Sequence, residues 1–196
     1  VSHLRFGPDP IRSTYLVNSA NFIGCHQWEF LEKFEVLKSA KPGSTFLINS
    51  PFPADETWAR LPVALQQEII DKQIKPYCIN AYKVAQEAGM RTRINTVMQT
   101  CFFALSGVLP REEAIEQIKK AIRKTYGKKG EEIVKMNIYA VDHTLEELHE
   151  VPVGGVTEDE GDGHSWVPDT APAFVKDVLG AMMARKGDDL PVSVLP

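Results

Sequence analysis

The residues of this chain that could do chemistry fall into four groups. Ser2, His3 and Arg5 stand near Arg12 and Ser13 across a Gly7-Pro8 turn. Guanidinium beside hydroxyls suits a phosphate or carboxylate, because it offers paired charge-assisted hydrogen bonds. An interdomain or structural ion pair is the competing reading. A second group is Cys25-His26-Gln27, Asn49-Ser50-Pro51 and Asn80, each at the end of a strand-like run. Ligands of open parallel sheets collect at those ends, but Asn and Ser there also satisfy turns and helix starts. His26 has no acid or cysteine at triad-like spacing, so no nucleophile–base machine is indicated. The third group, Cys25, Cys78 and Cys101, lies in apolar contexts without any Cys-x-x-Cys, which reads as buried free thiols in a reducing cytoplasm. The fourth is a basic run: Lys119, Lys120, Arg123, Lys124, Lys128 and Lys129. Charge runs on helices are usually solvated faces, and cations suit a helix C-terminus. The alternative is docking of an acidic partner or of phosphate groups. No aromatics interleave as a stacking platform for nucleic acid requires.

The elements that must position these groups are legible from periodicity and punctuation. Val1 to Phe6 alternates as a strand, Ser13 to Val17 reads as a short one, and Asn21 to Cys25 as a third. The stripe Phe30, Leu31, Phe34 and Leu37 predicts a helix over 27–40, with Gly43 just past its end. Thr45 to Asn49 and Pro76 to Ile79 read as strands. Asp55 is placed to cap a short helix through Trp58 and Leu61, and Pro62 suits the first turn of a helix running to about Gln73. Ala81 to Ala88 is a helix closed by Gly89. From Arg93 to Leu148 the chain reads as helical, with Ile94, Val97, Met98, Cys101, Phe102 and Leu105 on one face, then Ile115, Ile118, Ala121 and Ile122 on the next. Thr144 to Glu147 is a capping-box pattern before another turn or two. Strands alternating with helices over short connections predict an α/β fold: a parallel-rich sheet flanked by helices, a helical second half and an irregular C-terminal linker. The expected organisation is one domain over 1–150, a glycine- and acid-rich linker over 151–171, and a short helix over 172–196 that starts the connection to a next domain.

With 43% apolar residues the chain can bury a core, and its net charge of −4 gives no general attraction to nucleic acid or anionic membrane. Its apolar runs are too short to span a bilayer. No secretory pattern opens it.

Several long segments together carry a family likeness: Ser2 to Leu16 (SHLRFGPDPIRSTYL), Phe46 to Phe52 (FLINSPF), Arg93 to Asn137, and the closing GDDLPVSVLP. The chain resembles, over essentially all 196 residues, the gamma-type third domain of pyruvate:ferredoxin or flavodoxin oxidoreductase. The resemblance implies oxidative decarboxylation of pyruvate to acetyl-CoA and CO2 by a multidomain parent, with electrons passed to ferredoxin or flavodoxin. The same domain of a related 2-oxoacid oxidoreductase, or a purely architectural module, are the alternatives. It implies thiamine diphosphate, Mg2+ and [4Fe-4S] clusters bound by other domains, a homodimeric parent, and the other domains of the same chain as partners, with neither nucleic acid nor membrane among them. Coenzyme A is the one ligand this domain would approach, and Ser2, His3, Arg5, Arg12, Ser13, His26, Asn49 and Ser50 are the candidate contacts. Gly161-Asp162-Gly163 resembles the start of a thiamine-diphosphate fingerprint, but that pattern needs a later asparagine and the last here is Asn137. The absent methionine before Val1, the missing glycine-rich first βα unit of the family and the uncapped PVSVLP end lead to the expectation of an excised piece, inactive alone.

Overall fold

In a computed structural model of the protein, residues 10–12, 18–157, 167–183, 187 and 190–194 are described. The strands expected over 1–6 and 13–17, and Gly161-Asp162-Gly163, lie outside them.

Three parallel strands form the centre: β1 (Ala20–Cys25), β2 (Ala40–Asn49) and β3 (Lys75–Ile79). β2 lies between the other two, and a two-residue strand, β4 (His149–Glu150), adds antiparallel to β3. The run Phe46-Leu47-Ile48 shows why β2 belongs in the middle. Successive side chains of a strand point to opposite faces. Phe46 and Ile48 pack on one face and Leu47 on the other, and none is more than 1% exposed. A sheet covered on both faces needs such an uninterrupted apolar run.

One face is covered by α1 (Phe30–Lys33), α2 (Ala54–Arg60) and α3 (Val63–Asp71), through Leu31, Trp58, Leu65 and Ile69. The other is covered by α4 (Ala81–Glu87) and α5 (Asn95–Leu105), through Ala81, Val84, Val97, Met98 and Cys101. Two further helices, α6 (Arg111–Tyr126) and α7 (Glu131–Glu147), pack with α5 and with each other around Ile115, Ile118, Ile122 and Val141. A π-helical turn at Val175–Leu179 runs into α8 (Gly180–Met183).

Five local expectations are corrected. The helix expected over 27–40 is only the four-residue α1, and Phe34 is already extended. The sheet claims the rest: Ala20 donates to the Ser39 carbonyl at 2.7 Å and pairs with Ala40, so residues 39–40 cannot stay helical. Leu31 and Leu37 keep their burial through a turn instead. Gly43 therefore closes no helix. It sits inside β2 at φ +74, where the register shifts between Ala20 and Phe22, and a residue with a Cβ would be strained there. Asp55 is in the first turn of α2, not at its cap, which is Pro53; its charge still suits the helix N-terminus. Thr144 starts no new helix. It lies inside α7, fully buried, donating its hydroxyl back to the Ala140 carbonyl. On α6, Ala121 faces solvent, and Ala114 joins the three isoleucines inside.

Beyond β4 the chain runs as an extended strap across α2 and α3. Val151 donates to the Pro76 carbonyl. The indole of Trp58 donates to the Gly155 carbonyl at 2.9 Å. The side-chain oxygen of Gln66 accepts from the Thr157 amide, and its NH2 reaches the Thr157 hydroxyl.

Candidate functional site

The carboxyl ends of β1, β2 and β3 meet around Asn49, which is 4% exposed. Its NH2 donates to the His26 carbonyl at 3.0 Å and its oxygen accepts from the Ala81 amide at 3.0 Å, so one side chain ties three strand ends together. Ser50, beside it, is 1% exposed; its hydroxyl accepts from the Phe52 amide, donates to the Phe52 carbonyl and lies 2.9 Å from the Thr57 hydroxyl. Asn80 caps α4 by accepting from the Lys83 amide. The polar groups of Asn49 and Ser50 are thus engaged by the backbone around them. His26 is different: it is exposed, and its imidazole has no hydrogen-bond partner among the described residues.

Two cavities adjoin this edge. One of ≈470 Å³ lies over Gln27, Trp28, Asn49, Asn80, Tyr82 and Lys83, with Gln27 donating to the Tyr82 hydroxyl at 3.1 Å. The other, of ≈330 Å³, is walled by Phe22, Leu47, Met98 and Phe102 and has His26 and Gln99 at its rim. A third, of ≈290 Å³, shares Asn95 with it as a lining residue and carries Arg91, Arg93, Thr96, Tyr126 and Asn137. This third cavity is built by the loop after α4, the start of α5 and one side of α7. Gly89 turns the loop at φ +74, and a Cβ there would stand 3.0 Å from the Met136 methyl. Arg91 itself holds φ 57. Thr96 donates to Asn137, whose NH2 returns to the Ile133 carbonyl, which fixes the polar wall.

Of the residues singled out from the sequence, the structure brings His26, Asn49 and Ser50 to one edge. Arg12 is exposed and lines none of these cavities. Ser2, His3, Arg5 and Ser13 lie outside the described residues. Sequence reasoning passed over Arg91, Arg93 and Asn95. Their signal is the Arg-Thr-Arg-Ile-Asn-Thr run directly after a glycine-closed helix, where a turn can bunch two guanidinium groups at the mouth of the next helix.

The three cysteines are buried free thiols. Burial raises each above the ordinary thiol value; a bond to the Gln27 carbonyl opposes this at Cys25, and at Cys78 the Thr57 hydroxyl opposes it while the Asp55 charge adds to it. Iron–sulfur ligation needs several thiolates converging on one cluster, and these thiols, divided between the two faces of the sheet, do not fit it. Among the described residues no group of three or more His, Cys, Asp or Glu could hold a metal ion. No described helix is long and apolar enough to cross a membrane. On the basic run, Lys119 is paired with Asp142 at 2.6 Å and Lys129 lies over the Tyr126 ring, while Lys120, Arg123, Lys124 and Lys128 are exposed.

Comparison with known proteins agrees with the family likeness. The family described as pyruvate ferredoxin/flavodoxin oxidoreductase matches residues 1–147, and a domain of unknown function, EKR, matches 161–196. The pyruvate-flavodoxin oxidoreductase of Trichormus variabilis is 60% identical over 200 residues, covering 100% of this chain and 17% of the relative. The pyruvate:ferredoxin oxidoreductase of Moorella thermoacetica is 45% identical, covering 98% of this chain and 16% of its own length. The chain therefore spans about a sixth of the length of these relatives. The solved pyruvate oxidoreductase subunit PORC of Thermotoga maritima superposes with a TM-score of 0.53 at 17% identity, covering 69% of this chain and 67% of that one, which is a likeness of fold. With three quarters of its length matched by the family, the chain belongs to the pyruvate ferredoxin/flavodoxin oxidoreductase family.

Proposed function

We propose that this chain is the coenzyme-A-side domain of an enzyme that oxidatively decarboxylates pyruvate to acetyl-CoA and CO2 and passes the electrons to ferredoxin or flavodoxin. The observation that carries the coenzyme A assignment is a pair of neighbouring cavities that share Asn95 in their linings. One cavity offers two arginines, Arg91 and Arg93, and the other an apolar trough between Phe22, Met98 and Phe102. Coenzyme A has the matching polarity: a phosphate-rich nucleotide end and an uncharged arm ending in a thiol. Guanidinium pairs suit phosphates, and a mostly apolar wall with few polar groups suits the arm. His26 and Gln99, at the rim of the trough, are placed to hydrogen-bond amide groups of that arm. Arg12, with Ser2, His3, Arg5 and Ser13, is a second candidate for the phosphates or for a neighbouring domain. Asn49 and Ser50 act by holding the strand ends that shape the edge.

Thiamine diphosphate, its Mg2+ and the iron–sulfur clusters do not fit the donors among the described residues, and belong on this reading to other domains of a homodimeric parent. Its partners are those domains and the electron carrier, with neither nucleic acid nor membrane among them. Its free thiols support a reading of the cytoplasm as its compartment. The chain alone should neither decarboxylate pyruvate nor reduce a viologen dye. Measurable turnover on addition of thiamine diphosphate, magnesium and coenzyme A would overturn that division of labour.

The test of the site is Arg91→Ala and Arg93→Ala in the full-length enzyme. Loss of a charge-assisted contact should raise the apparent constant for coenzyme A roughly ten- to a hundredfold, with the constant for pyruvate and the melting temperature unmoved. An unchanged coenzyme A constant would leave the domain as architecture.

A further inference from the structure

His143 joins two helices. It sits on α7 with a side chain that is 23% exposed, and each of its ring nitrogens meets a carboxylate: Nδ1 is 2.8 Å from Glu146 of its own helix, and Nε2 is 3.0 Å from Glu87, near the end of α4. Tyr139, one turn earlier, stacks on the imidazole at 5.4 Å and fixes its plane. A neutral imidazole donates through one nitrogen only, so it can serve one of these carboxylates as donor and must face the other with a lone pair. Only the imidazolium satisfies both.

The charges around it leave this arrangement to His143. From α4 come Glu87 and Lys83; from α7 come Asp142, Glu146 and Glu147. Lys83 is taken by Glu147 at 3.3 Å, and Asp142 by Lys119 of α6 at 2.6 Å. No cation other than His143 is recorded on Glu87 among the described residues. The tie matters because of what α4 carries. Its first turn puts Tyr82 and Lys83 into the crevice above the strand ends, and the loop that follows it holds Arg91 and Arg93. A change in how α4 sits on α7 therefore reaches both cavities.

We propose that His143, bridging Glu87 and Glu146, is a proton-operated latch that holds α4 and its following loop against α7 and releases them as pH rises. The inference needs no ligand and stands apart from the coenzyme A assignment. The direction follows from linkage. The two carboxylates raise His143 above the ordinary histidine value, against a smaller opposing effect of burial. A group whose folded-state value is raised contributes stability that is complete below its unfolded value, about 6.5, and fades as pH passes the folded one.

The experiment is hydrogen exchange on the protein at about pH 6 and about pH 8.5, either side of the ordinary histidine range, with the His143 ring titrated by NMR. Corrected for intrinsic exchange, the opening equilibrium of residues 81–93 should rise about two- to fivefold at the higher pH, the size of a partly exposed ion pair. Residues 111–126, which give no bond to His143, Glu87 or Glu146, should not follow. His143→Gln should show the high-pH opening at both pH values. Glu87→Gln should lower the His143 titration and remove most of the response, and it serves as the test if the histidine variant does not fold. A pH response of the same size in wild type and either variant, or one spread evenly over every helix, would overturn the latch.

Discussion

Cys101 should react with a thiol reagent at pH 8 at least about a thousandfold more slowly than an exposed cysteine. The side chain is fully buried on the inner face of α5, beside Val97 and Met98, and burial pushes its thiol up to about 12 from 9.0. The reactive species is the thiolate, so that displacement alone removes nearly all of it at neutral pH, and steric shielding slows the reaction further. Cys25 and Cys78 are raised in the same direction by the same cause and should be slow as well. Rapid labelling of any of the three in the native protein would contradict this. The shift also has a stability consequence. The folded state holds the Cys101 proton more tightly than the unfolded chain, so stability is undiminished below about pH 9 and falls as pH climbs toward 12. At about 1.4 kcal/mol per pH unit, the loss approaches 4 kcal/mol across that window. Wild type should therefore lose stability more steeply above pH 9 than Cys101→Ala, which lacks the group. Parallel alkaline limbs for the two proteins would show that the thiol does not carry the effect.

The parts of this fold that were legible in the sequence are those where one local rule acts alone. The short run Thr45 to Asn49, with its β-branched Thr45 and Ile48 around Phe46 and Leu47 and with Ser50-Pro51 to end it, reads as a buried strand. The stripe on α5 reads as a helix because its period is sustained over three turns. Where two elements compete for the same residues, the pattern misled. Phe30, Leu31, Phe34 and Leu37 have helical spacing, yet the ladder with Ala20 takes the chain from Ser39 onward and the helix stops at Lys33. Thr144 carries a capping signature, but a hydroxyl can as well bond back to its own helix, and burial against the sheet-side helices selects that outcome. β4 was not visible, since two polar residues carry no period. The candidate site divides in the same way. Polar residues at strand ends stand out in sequence because the strands do. The cavity around Arg91, Arg93 and Asn95 borrows Tyr126 and Asn137 from helices more than thirty residues away, and no local pattern reports such a meeting.

Gln66→Met should destabilise the protein by about 2–4 kcal/mol, although methionine matches glutamine in length and shape. Gln66 is 0% exposed, and a buried amide is tolerable only when its groups are paired. Here they are: the NH2 reaches the Leu61 carbonyl at 2.8 Å, the Trp58 carbonyl at 3.2 Å and the Thr157 hydroxyl at 3.0 Å, while the oxygen accepts from the Thr157 amide at 2.9 Å. The first two bonds close the junction between α2 and α3 around Pro62; the other two hold the strap. A thioether restores none of them. Each buried group left unpaired costs about 1–3 kcal/mol. Two groups are at stake in full, the Leu61 carbonyl and the Thr157 amide, because the Trp58 carbonyl keeps its bond from the Leu61 amide. The strap is also held by the indole of Trp58, which donates to Gly155 and lies so close to Gly154 that a Cβ there would stand 3.0 Å from the ring nitrogen. Gly154→Val should therefore push the ring aside and release the same segment from its other anchor. Denaturant unfolding measures the loss of stability, and limited proteolysis at residues 152–157 measures the release. If Gln66→Met loses less than about 1 kcal/mol and the segment stays protected, then Trp58 and Val151 alone hold the strap, and the amide is a satisfied but dispensable group.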